Sequence, residues 1–166
     1  MRRIQQLLLC AICVSFWSAV AAGTQATNDG VLPGALREHL QAESFGIVTS
    51  IRGLPLGVRD ALQILWETPT LDIADPGAAF QATAVAANPK LPIRRLIAAG
   101  CSNDHHCLVY YERGGSEHTW HVVLYQWTPA ATRFEWGNTA PGGLVTIEDV
   151  RNAVVSGRIK GQSRVW

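Results

Sequence analysis

Two cysteines set the strongest constraint on how this chain can fold. Cys101 and Cys107 enclose the polar stretch SNDHH, with RRLIAAG leading in and LVYYE leading out. In an oxidising compartment a pair this close is most simply a disulfide. Closing so short a loop restricts the unfolded chain by roughly 2–3 kcal/mol and pins the turn between the two apolar segments. The constraint holds only outside a reducing cytosol, so the compartment has to be read first.

The N-terminus supplies that reading. Arg2 and Arg3 are followed by an apolar run over residues 7–17 and then by the small residues SAVAA at 18–22. That is the order of a secretory signal peptide. The run is short against the roughly 20 apolar residues of a membrane span. We expect a signal peptide at 1–22, a disordered lead-in at 23–30, a single domain over 31–166, and a periplasmic or secreted product. An uncleaved N-terminal anchor is the rival reading. A lipoprotein is weaker, because Cys10 follows Leu9 and Cys13 follows Ile12.

Cleavage would leave Cys101 and Cys107 as the only cysteines. It would also leave twelve Lys and Arg against 13 Asp and Glu, a formal net charge of −1. No strong field of either sign then attracts nucleic acid or anionic lipid. No stable membrane insertion is expected after cleavage. About 145 residues suffice for one compact domain.

Hydrophobic periodicity points to an α+β fold. Leu32, Leu36 and Leu40 recur every four residues in LPGALREHLQA, a short helix over 32–42. FGIVTSI at 45–51 reads as a strand and VRDALQILW at 58–66 as a second helix. Residues 80–87 alternate weakly, as a strand would. Residues 94–100, 107–113, 118–127 and 132–137 then read as consecutive antiparallel strands. A final helix starts at Thr146, with Glu148 and Asp149 in its first turn and Gly157 beyond its end. The basic tail GRIKGQSRVW adds an edge strand or frays. The expected architecture is an antiparallel sheet of four to five strands packed against two to three helices.

Charge pairing suggests a register for the turn at RGGSE. A three-residue loop over 114–116 sets Arg113 opposite Glu117 and Glu112 opposite His118, whereas a two-residue turn would oppose Glu112 and Glu117. One strand face then carries Leu108, Tyr110, Trp120, Val122 and Leu124. The other carries Val109, Tyr111, His121, Val123, Tyr125 and Trp127. The first should pack under helices. The second either meets another helix or presents an aromatic contact surface.

Site candidates follow from these placements. Asp104, His105 and His106 are expected at the tip of the stapled loop, where a rigid loop loses less entropy on binding. Tyr111, His121, Tyr125 and Trp127 form the second candidate surface, and Trp127 beside Tyr125 is a faint carbohydrate-like signal. His121 is the best single candidate for a general base. Cys101, His105, His106 and Cys107 could nominally be four zinc ligands. Adjacent histidines rarely converge, however, and the usual ligand spacings are missing, so no metal ligand is assigned. No nucleophile elbow, zinc-protease motif, phosphate loop or dinucleotide fingerprint occurs, and no cofactor is expected. The leading expectation is a non-enzymatic binding or inhibitory module with an envelope or extracellular protein as partner. A small hydrolase-like enzyme with His121 as base, and a periplasmic metal-binding protein using His105, His106 and a neighbour, are the alternatives.

Overall fold

The computed structural model describes residues 30–85, 88–159 and 166. The expected signal peptide and most of the lead-in lie outside these residues, as do positions 160–165 of the tail. Local patterning sets the elements. The Leu36–Leu40 spacing winds α1 (Gly34–Ala42), which Pro33 precedes. β1 (Phe45–Val48) leads through a short 3-10 turn at Ile51–Gly53 into α2 (Leu56–Leu65). Then come β2 (Arg94–Ser102), β3 (His106–Arg113), β4 (Thr119–Trp127) and β5 (Thr132–Ala140), and the chain closes with α3 (Ile147–Val155).

The five strands form one antiparallel sheet in the order β1-β2-β3-β4-β5, so every strand pairs with its sequence neighbour. The fold is α+β. α3 starts on a reciprocal capping box between Thr146 and Asp149. It stops where Gly157 takes φ 69° and Arg158 N–H reaches back to the Ala153 carbonyl. Among the described residues no helix is long and apolar enough to cross a membrane.

Both sheet faces are covered. On the first, Leu108, Tyr110, Val122 and Leu124 pack with Leu40 of α1 and with Val150 and Val154 of α3. On the second, Val109, Tyr111, Val123 and Tyr125 pack under Val58, Leu62 and Trp66. β3 is therefore buried from His106 to Glu112, which explains its almost unbroken apolar run. The second face meets a helix, so it does not form an exposed aromatic surface.

Three local expectations change. Residues 80–85 are not a strand. Gln81 N–H instead closes onto the Pro92 carbonyl, and the Arg95 guanidinium lies 4.4 Å from the centre of the Phe80 ring. The β3–β4 turn spans residues 114–118, with Arg113 opposite Thr119 and Glu112 opposite Trp120. The register is thus two residues away from the charge-paired one. Two long-range contacts explain it. Gly114 donates to the Ile93 carbonyl at 2.8 Å, and the 81–82 backbone leaves no room for a Cβ there. Glu112 still reaches His118 at 2.6 Å, because Arg95 holds its other oxygen. A shift of two preserves the alternation, so both faces keep their expected residues. Finally, β5 continues to Ala140, beyond the expected end at 137.

Candidate functional site

The turns β2–β3 and β4–β5 and the junction between α1 and β1 meet at one end of the sheet. Cys101 and Cys107 face each other there across the β2–β3 ladder, with Sγ atoms 2.04 Å apart, the separation of a disulfide. Both cysteines lie inside strands, so the loop proper is only residues 103–105. His105 takes φ 67°, and its N–H meets the Ser102 carbonyl at 3.3 Å. That is a three-residue hairpin loop ending in a left-handed residue. The His105 carbonyl accepts from Trp127 N–H at 2.8 Å, and the two rings meet edge-on at 5.7 Å.

The structure separates the expected loop triad. Asp104 and His105 are exposed, but His106 is only 5% exposed and points the other way. His105 ends the loop in the left-handed region and stays in solvent, whereas His106 opens β3 and packs against His39 and Glu43 at the end of α1. The nominal zinc set of Cys101, His105, His106 and Cys107 is therefore not assembled.

The second-face candidates divide as well. Tyr111, His121 and Tyr125 are core residues, while Trp127 stays half-buried at the edge. Tyr111 accepts a hydrogen bond from Trp66 Nε1, and burial pushes its hydroxyl pKa well up. Burial also raises that of Tyr125. His121 stacks on Tyr111 at 5.2 Å, and its Nε2 sits 2.8 Å from Thr119 Oγ1. Its pKa is lowered to about 4, first by burial and then by Arg113 and Arg94. At neutral pH it is an uncharged ring enclosed in protein. Asp104, His105 and Trp127 thus remain together at the surface.

A groove of about 450 Å³ opens beside Trp127, between α2 and the β4–β5 turn. Thr128 and Ala131 close that turn with paired backbone hydrogen bonds, which fixes one wall. Gly57 forms the base of the other, since a Cβ there would come within 2.3 Å of Thr132 Oγ1. Leu56 and Ile64 stand at the groove 64% and 76% exposed. Asp60 is the one charged residue among those lining it.

Sequence reading missed a second cluster at this end. His39 lies in the last turn of α1 and Glu43 is the C-cap residue just past it, four positions on, which leaves the two side chains within reach of each other. Glu43 Oε1 is 2.9 Å from His39 Nε2 and 2.6 Å from His106 Nδ1. The imidazole centroids are 5.1 Å apart with their planes at 77°. Two nitrogens and a carboxylate oxygen of this kind can hold a cation. The His-x-x-x-Glu spacing was visible in the sequence, but nothing there linked it to His106. Comparison with protein-family models, curated proteins and solved structures finds no match to this chain.

Proposed function

We propose that the protein is an exported, non-enzymatic binding module, and that the groove between α2 and the β4–β5 turn is its recognition surface. The exposure of Leu56 and Ile64 on the groove wall carries this reading. Helical residues of that size normally face the core, and exposed apolar clusters mark contact sites. The Asp60 carboxylate sets the chemistry of the occupant: an apolar segment of an envelope or extracellular protein that carries a basic side chain. Asp104 and His105 lie beyond Trp127, on a loop whose flanking strands are cross-linked.

Export is supported by the leader pattern of residues 1–22 and by the disulfide-distance pair. The burial of His121 favours binding over hydrolysis, since an enclosed imidazole meets no substrate. Site-specific photocrosslinking from position 131 in intact cells tests the proposal. It should capture one envelope or extracellular protein, and Ile64→Asp should abolish capture while leaving the thermal midpoint unchanged. Equal capture by Ile64→Asp would overturn the groove assignment. Recovery of the full-length chain from the cytosol would overturn export.

A further inference from the structure

We infer that His39, Glu43 and His106 form a binding centre for a divalent transition-metal ion of the zinc and copper class. The donor atoms of the three residues all lie within 4.8 Å of one another. They come from two separate elements. α1 and its C-cap contribute His39 and Glu43, and the start of β3 contributes His106. The backbone there is held independently of the side chains. Ser102 Oγ accepts from His106 N–H, and Arg151 of α3 donates to the main-chain carbonyl of Glu43.

The charge distribution argues for a cation. Oε1 of Glu43 faces both imidazole nitrogens, whereas Oε2 is buried with no hydrogen-bond partner among the described residues. A buried carboxylate oxygen without a partner is costly, and more so than a neutral acceptor. Arg151 does not relieve it, because its contact is to the backbone oxygen and not the carboxylate. A divalent ion would neutralise the carboxylate and take a lone pair from each imidazole. Two nitrogens and one oxygen suit zinc or copper, whereas calcium and magnesium prefer all-oxygen shells. Zinc bonds of about 2.0–2.2 Å set neighbouring donors roughly 3.3 Å apart, within reach of small side-chain rotations here.

The position of His39 adds an open side. Its side chain is 51% exposed while that of Glu43 is 1% exposed, so the centre is reached from solvent past His39. Three protein ligands with one open position describe a site able to hold water or a donor from another molecule. The centre does not depend on the groove, and either assignment stands without the other.

Calorimetric titration of Zn²⁺ into protein purified without an affinity tag, near neutral pH, tests the inference. One equivalent should bind. His39→Ala should weaken binding by at least roughly tenfold, since even outer-shell partners of a metal carry that much. Because His39 is half-exposed, that variant should keep its thermal melt, whereas Glu43→Gln keeps the shape, removes the buried charge and should also weaken Zn²⁺ binding. His105→Ala should bind Zn²⁺ as the parent does. Absence of stoichiometric binding, or equal affinity in the parent and His39→Ala, would overturn the centre. So would loss of binding in His105→Ala alone.

Discussion

Trp66 Nε1–H donates to the Tyr111 hydroxyl at 3.0 Å, a buried hydrogen bond that joins the end of α2 to β3. The rings also meet edge-on at 5.2 Å, and the Arg94 guanidinium covers the Trp66 indole at 4.6 Å. This contact ties down the helix that covers the aromatic second face. Tyr111→Phe preserves the ring and strands the indole N–H. The expected loss is roughly 1–3 kcal/mol. Urea unfolding should show a lower midpoint with an unchanged slope, since the surface exposed on unfolding stays the same. An unchanged midpoint would mean that the indole finds water in place of the hydroxyl.

His121 makes the stability of the protein depend on acid. Its pKa is depressed from 6.5 to about 4 in the fold, so between those values the unfolded chain binds the proton and the native chain does not. Stability from this group is therefore complete above pH 6.5 and drains away as pH falls through about 4. The linked loss amounts to roughly 3 kcal/mol. Denaturant titrations across this range should show it. His121→Gln lacks the ionisation, so its stability deficit against the parent should narrow as the solution is acidified.

The cross-strand pair Cys101 and Cys107 should be oxidised in protein taken from cells. Alkylation before and after reductant, read by mass, should label neither thiol at first and both afterwards. Reduction should cost roughly 2 kcal/mol, the entropy of a loop closed by residues six apart. The melting transition should move down and remain cooperative, because six further register pairs between β2 and β3 persist without the sulfur link. Thiols that label without reductant would remove the staple and the main support for export.

Much of the fold can be read from local sequence. β-branched and aromatic alternation marks β2 to β5, and Thr146 with Asp149 marks the start of α3. The pairing of Cys101 with Cys107 was expected from their spacing, and their Sγ atoms lie at disulfide distance. The division of residues between the two sheet faces survived even a two-residue error in register, because strand alternation has a period of two.

Tertiary structure decided what the chain alone left open. The β3–β4 register depends on Gly114 meeting Ile93, and strand propensity carries no trace of that contact. Tyr111 and Tyr125 became core because α2 lies over them and His121 lies between the Tyr111 and Trp166 rings, whereas Trp127 stayed at the edge beside the groove. Glu43 and His106 are 63 residues apart in the chain, and the β1–β2 pairing that sets Phe45 opposite Ser102 helps to bring them to 2.6 Å. Periodicity is a property of neighbours along the backbone, so it predicts which face a side chain takes. Which partner it meets there is set by how separate elements pack, and that is where the candidate sites of this protein arise.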